Sequence, residues 1–221
     1  RQFHMNNRIN IGEQMADESM LILFAGNAPK KSADAAYDFT PNRHFYYMTG
    51  IDEESVILAL VKSEGEIKET LFIKERDTLM VKWVGETISE EKAKENSGVE
   101  TIKFLDGFNT FLHQTIAKEN ITTLYFDLEK DNFNSDENKE TGFAKEIMAK
   151  YPQVRIKNIY NEISELRVIK KDVEVEKLKK AIEITGEGIY HLMKNTQPGM
   201  KEYELEAYFD FVLKKSGVKD F

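Results

Sequence analysis

An α/β fold, with a mixed β-sheet flanked by helices and two further helices after it, is what the pattern of apolar residues predicts for this chain. Three observations carry the expectation. Short continuous apolar runs, closed by glycine or polar turns, dominate the first third and read as strands. From about residue 75 helical stripes alternate with strand-like runs, which suits a sheet covered by helices. Past Pro152 the pattern changes again, to two helical stretches separated by Gln197-Pro-Gly-Met200.

Taken in order, Phe3 to Met15 reads as a short helix with Phe3, Met5, Ile9 and Met15 inward, weakened by Gly12. Ser19-Met-Leu-Ile-Leu-Phe-Ala-Gly26 is a continuous apolar run and predicts a buried strand. A polar loop leads to Pro41-Asn42, a turn signal, and then to adjacent aromatics, Phe45-Tyr46-Tyr47, which predict another strand. Ser55–Val61 predicts a strand buried on both faces, with Glu69–Ile73 as its hairpin partner across a turn at Ser63–Glu66.

Arg76 to Val84 reads as mainly helical. Ser89 is placed to cap a helix running to Asn96, with Glu90 and Glu91 favourable in its first turn. Thr101–Phe104 and Thr122–Asp127 predict strands, and Leu105, Phe108, Leu112 and Ile116 form a helical stripe between them. The polar stretch Glu129–Glu140 is expected as a loop, and Phe143, Ala144, Ile147, Met148 and Tyr151 mark another helix. Near the end, Asp172 is the expected N-cap of one helix, and a second carries Tyr203, Leu205, Tyr208, Phe209, Phe211, Val212 and Leu213. This second helix is apolar around more than one side, so the two helices should pack on each other and still need cover, with Phe209 and Val212 buried. The division expected is a domain over 1–155, a linker over 156–171, and the start of a second, incomplete domain over 172–221.

Composition narrows the function. The 221 residues are 41% hydrophobic with 11% aromatics, enough for a core, and carry a net charge of −8 without a basic cluster. Non-specific binding to nucleic acid or to anionic lipid is not expected of such a surface. There is no cysteine, which removes disulfides and thiolate metal sites and fits a reducing cytosol. The longest apolar runs are far too short to cross a bilayer, and Arg1-Gln2-Phe3-His4 opens no signal-peptide pattern, so a cytoplasmic location is expected. The four histidines, His4, His44, His113 and His191, share no metal-ligand spacing. His113 and His191 fall in helical stretches and are expected on polar faces. No nucleophile elbow, P-loop or dinucleotide fingerprint is present. Taken by themselves, the residues display no catalytic constellation.

Two blocks point further. The string Tyr37-x-Phe39-x-x-Asn42-x-x-Phe45-Tyr46-Tyr47-x-Thr49-Gly50 resembles a segment of the aminopeptidase P family. Glu165-Leu-Arg-Val-Ile-Lys170, Glu174–Ala181 and Pro198-Gly-Met-Lys-Glu-Tyr-Glu-Leu-Glu-Ala207 resemble the opening of the pita-bread catalytic domain shared by aminopeptidase P, prolidase and creatinase, with Trp83-Val-Gly85 between the blocks. The resemblance implies a creatinase-type N-terminal domain followed by the first two helices of a truncated pita-bread domain. It further implies a parent enzyme that removes an N-terminal residue preceding proline, with proline-containing peptides as partners. Such enzymes use two divalent metal ions, usually manganese, held by two Asp, one His and two Glu, and act as homo-oligomers. All five ligands of the family lie after the region matching Phe221, so this piece should be inert alone, shaping the cleft and the oligomer.

Three positions carry a site expectation by that resemblance. Asp34, in Ser32-Ala-Asp34, either faces the substrate cleft or makes an Asx-turn. Tyr37 either joins the cleft rim or packs. Trp83 is either a hydrophobic anchor or part of a loop overhanging a neighbouring subunit's site. Thr40 stands where the family often has Arg, and Lys201 where it often has a helix-capping Thr. Two other functions remain open: a metal-free pita-bread homologue acting as a peptide- or protein-binding module, and a creatinase-like hydrolase of a small amidine.

Overall fold

The computed structural model describes residues 1–75, 87–130, 132, 134 and 137–218. They divide into two compact units, Arg1–Val168 and Ile169–Phe221. The first is built on a six-stranded sheet in the order β6-β5-β4-β1-β7-β8. Its strands are β1 (Ser19–Phe24), β4 (Ile57–Ser63), β5 (Glu66–Ile73), β6 (Ile102–Phe104), β7 (Thr123–Phe126) and β8 (Arg155–Asn158). β1 and β4, and β4 and β5, pair antiparallel, whereas β1–β7, β7–β8 and β5–β6 pair parallel. The sheet is therefore mixed, as expected. A separate hairpin, β2 (Lys30–Ser32) with β3 (Ala35–Ala36), occupies the loop after β1.

Alternation along the strands splits the core in two. Leu21, Leu23, Leu58, Leu60, Leu71 and Ile73 face one side, under α1 (Gln2–Gln14), α2 (Arg43–Thr49), α3 (Glu90–Ser97) and α6 (Tyr160–Val168). Met20, Ile22, Phe24, Ile57, Ala59 and Phe72 face the other, under α4 (Phe108–Lys118) and α5 (Lys139–Lys150). Period-two burial on both faces explains why β1 and β4 read as unbroken apolar runs. Several expectations hold in detail. Ser89 accepts the Lys92 N–H and starts α3, and Phe108, Leu112 and Ile116 are the buried stripe of α4.

The aromatic run does not form a strand. Residues 43–49 are helix α2, because its two ends are capped. The Asn42 side-chain oxygen accepts the N–H groups of His44 and Phe45 at 2.8 and 2.9 Å. At the other end Gly50 adopts φ +68° and donates to the Tyr46 carbonyl at 2.7 Å. A Cβ there would also meet the His4 ring at 2.4 Å. Helical spacing then turns Phe45, Tyr47 and Met48 inward and leaves Tyr46 39% exposed. Capping overrides the strand preference of adjacent aromatics.

Helix α1 packs Phe3 and Met15 against the core as predicted, but Ile9 does not turn inward. Ile9 is 49% exposed, while Asn7, Arg8, Ile11 and Gly12 are buried. The reason lies in the last carbonyls of α2 and α3, which have no partner within their own helices. His4 Nδ1 and Asn7 Nδ2 each lie 3.0 Å from the Tyr47 carbonyl. Arg8 Nη1 donates to the carbonyls of Met48 and Ser97 at 2.7 and 2.9 Å. Its Nε and Nη2 grip the Glu69 carboxylate of β5 at 2.9 and 2.8 Å. A polar stripe thus does the work that the apolar pattern assigned to Ile9.

Residues 156–171, expected as a linker, hold most of β8 and all of α6. β8 extends the parallel part of the sheet beside β7, and Ile163 of α6 is fully buried in the core. The expected helix over Arg76–Val84 lies outside the described residues. In the second unit α7 (Asp172–Asn195) and α8 (Glu202–Lys215) pack on each other, with an added Cβ at Gly188 falling 2.7 Å from the Phe209 ring. Asp172 is the first helical residue of α7 and Lys171 its N-cap. An ammonium cannot accept a hydrogen bond, and Glu174 and Glu204 supply the caps instead, accepting the N–H groups of Lys171 and Lys201. His191 is not on a solvated face but stacks on Phe211, with ring centroids 5.8 Å apart. Phe209 and Val212 are half-buried, and Tyr203 and Phe211 remain exposed.

Arg8 yields a direct test. Replacing it with Ala leaves Glu69 and two carbonyls without their partner, and breaking a buried ion pair costs about 3–5 kcal/mol. Urea denaturation of Arg8→Ala should show a loss of that size. A loss below about 1 kcal/mol would mean that the guanidinium is dispensable.

Candidate functional site

A cavity of about 440 Å³ lies within the first unit, at the carboxyl ends of the parallel strands β1, β7 and β8. Asp127 directly follows β7. Asn42 is held near the end of β1 by its N–H on the Ala25 carbonyl at 2.8 Å. Tyr160 opens α6 just past β8. The chain leaves β1 and β8 toward the face carrying α2 and α6, but leaves β7 toward the face carrying α5. Diverging connections open a crevice at the strand ends, the general position of binding sites in α/β sheets.

The inner wall is a polar cluster. His44 and Asp127 are buried, and His44 Nδ1 stands 3.1 Å from Asp127 Oδ2. The contact is off the hydrogen-bonding direction and leaves His44 Nδ1 without a hydrogen-bond partner, and the other carboxylate oxygen, Asp127 Oδ1, has none either. Asn42 Nδ2 donates to Asp127 Oδ2 at 3.1 Å, joining the N-terminus of α2 to the end of β7. His44 Nε2 lies 3.4 Å from Ser164 Oγ, and its ring lies 5.0 Å from that of Tyr160. A buried polar atom without a partner costs about 1–3 kcal/mol, so this wall has unused hydrogen-bonding capacity. Two cations, Arg43 and Arg167, and a second anion, Glu129, complete the charged lining. The Arg167 guanidinium also lies 6.0 Å from the Tyr47 ring, whose hydroxyl donates to the Leu166 carbonyl at 3.0 Å.

Glu140, buried on α5, belongs to the same electrostatic neighbourhood. Burial pushes its carboxyl above the usual carboxylate range; a hydrogen bond from its own backbone N–H partly offsets this, and the charge of Asp127 adds to the rise. Among the described residues no group of three or more His, Cys, Asp or Glu could hold a metal ion. The two-metal centre implied by the family resemblance does not fit these side chains.

The residues singled out from sequence lie elsewhere. Asp34 is exposed in the turn of the β2–β3 hairpin, after Ala33 at φ +46°. Tyr37 is 57% exposed just past the hairpin, with Lys31 Nζ 5.6 Å from its ring centroid. Neither lines the cavity, and Trp83 lies outside the described residues. Of the positions noted from sequence, Asn42 and Thr40 do line it. His44 and Asp127 were not singled out for this role, because no spacing rule links side chains so far apart in the chain. The available signal was Asn42, read as a turn residue rather than as a cap.

Glu140 gives a pH test. Its carboxyl binds a proton more tightly in the folded than in the unfolded state, so stability should fall as pH rises from the ordinary carboxylate range through its raised value. Glu140→Gln should flatten that part of the stability–pH curve. An unchanged slope in equilibrium unfolding would show that burial does not raise the carboxyl's proton affinity.

Residues 4–125 match the family model of the aminopeptidase P N-terminal domain. The chain is 29% identical over 201 residues to the Xaa-Pro aminopeptidase of Haemophilus influenzae, covering 90% of this chain and 44% of that protein. It is 26% identical over 227 residues to the Xaa-Pro aminopeptidase of Escherichia coli, covering 99% and 50%. A solved Bacillus anthracis structure, provisionally described as an aminopeptidase P, matches 99% of this chain and 52% of its own, with a TM-score of 0.95 and 47% identity. The chain spans about half the length of these relatives.

Proposed function

Because the chain belongs to the aminopeptidase P N-terminal-domain family, we propose that it is the N-terminal part of a metal-dependent Xaa-Pro aminopeptidase, which removes an N-terminal residue preceding proline. The observation that carries this reading is the agreement of fold over 99% of the chain, at 47% identity, with the Bacillus anthracis structure. By the family resemblance all five metal ligands follow the region matching Phe221, so hydrolysis is assigned to the half of the relatives that this chain does not span. When bound there, two divalent ions, manganese by the family resemblance, would polarise the scissile carbonyl and supply hydroxide.

This chain's own contribution is to shape the cleft and the oligomer. Asp34 suits a contact to the substrate's charged amino end, because it stands exposed on a short hairpin rather than in the core. Tyr37 offers an exposed aromatic edge beside it. Trp83, outside the described residues, keeps its two readings, a hydrophobic anchor or part of a loop overhanging a neighbouring copy's cleft, and the parent is proposed to be a homo-oligomer.

The test compares the 221-residue chain with a longer protein that contains it and the remaining half. With manganese present, the longer protein should release alanine from Ala-Pro-Ala but not from Ala-Ala-Ala, and a chelator should stop it. The 221-residue chain should release none. In the longer protein Asp34→Ala should raise KM several-fold with little change in thermal stability. Cleavage by the shorter chain, or equal turnover of both peptides, would overturn the assignment.

A further inference from the structure

The cavity at the ends of β1, β7 and β8 has a lining whose charges are balanced in kind. Arg43 and Arg167 supply two guanidiniums, and Asp127 and Glu129 supply two carboxylates. A simple anion would meet the carboxylates, and a simple cation would meet the guanidiniums. An apolar molecule would strand the polar atoms of His44 and Asp127 that already lack partners. A molecule carrying both charges at its two ends brings a counter-charge to each sign of the lining and polar atoms to His44 and Asp127. Guanidinium groups suit a carboxylate, which they can hold through two parallel hydrogen bonds. The buried Asp127, with one oxygen unpartnered, suits an ammonium, and the Tyr160 ring offers a flat wall between. At about 440 Å³ the space falls within the range of small-molecule sites.

We propose that this cavity binds a small zwitterion, a free amino acid or dipeptide, with its ammonium toward Asp127 and Glu129 and its carboxylate toward Arg43 and Arg167. The site is complete within the first unit and does not depend on the peptidase assignment. Its occupant would tie α2 to the end of β7, adding to the link that Asn42 already makes to Asp127.

The experiment titrates the ¹⁵N-labelled 221-residue chain with glycylglycine, and in parallel with acetate and with methylammonium, up to about 20 mM, which covers millimolar affinity. Glycylglycine should give saturable shifts confined to residues 42–44, 127–129 and 160, and the single-charge probes should bind at least about tenfold more weakly. Arg43→Ala and Asp127→Asn should each weaken glycylglycine binding about tenfold. Arg43 is exposed, so its variant decides the matter even where Asp127→Asn fails to fold. Absence of saturable shifts would mean that water alone fills the cavity, and would overturn the proposal. Acetate binding as tightly as glycylglycine, or binding indifferent to Arg43→Ala, would overturn it equally.

Discussion

One guanidinium holds the first unit's upper layer together. Arg8 is fully buried, yet it belongs to a short N-terminal helix rather than to the sheet. From there it closes the ends of α2 and α3 and pairs with Glu69 on β5. Burying such a charge is costly unless every donor is used, and here Nε, Nη1 and Nη2 all find acceptors. Lys62 plays a similar part at the end of α1, donating to the Gly12 and Met15 carbonyls at 3.0 and 2.8 Å. The helices on this face are therefore joined by charged side chains meeting helix-end carbonyls, in addition to apolar packing. α2 is only seven residues long and would be marginal in isolation. Its caps and the three polar residues of α1 make it a defined element.

That anchoring bears on the cavity. His44 lies in the first turn of α2, so whatever fixes α2 also fixes the distance from His44 to Asp127 at the end of β7. Asn42 serves both ends, with its oxygen on the α2 amides and its nitrogen on Asp127. The cleft-facing role proposed for Asp34 depends on a different structure, the small exposed hairpin before α2. Asp34 and Asn42 share one loop, between β1 and α2.

What could be read from sequence follows the physics of each segment. Strands buried on both faces announce themselves as apolar runs, so β1 and β4 were legible, β5 followed as the hairpin partner of β4, and the Ser89 cap and the α4 stripe were legible too. Phe45-Tyr46-Tyr47 misled because aromatic runs favour strands, although Asn42 and Gly50 stood at cap positions. The polar part of α1's inward face was illegible because hydrophobic periodicity gives no weight to Asn7 and Arg8, whereas Phe3 and Met15 were read correctly. Residues 156–171 were expected as a linker because the short β8 is largely exposed, as is usual for an edge strand. The resemblance identified the family, which no constellation of residues in the sequence displays. The His44–Asp127 wall depended on tertiary folding and had no local signal.

The central claim is that α1 holds α2 in place through Arg8, and hydrogen exchange tests it most directly. In Arg8→Met the packing volume is largely kept while the carbonyl and carboxylate contacts are lost. The Tyr46 to Gly50 amides of α2 should then lose protection by a factor of at least about ten, while those of β1 and β4 keep theirs. Equal loss across sheet and helix, or no loss in α2, would contradict the account.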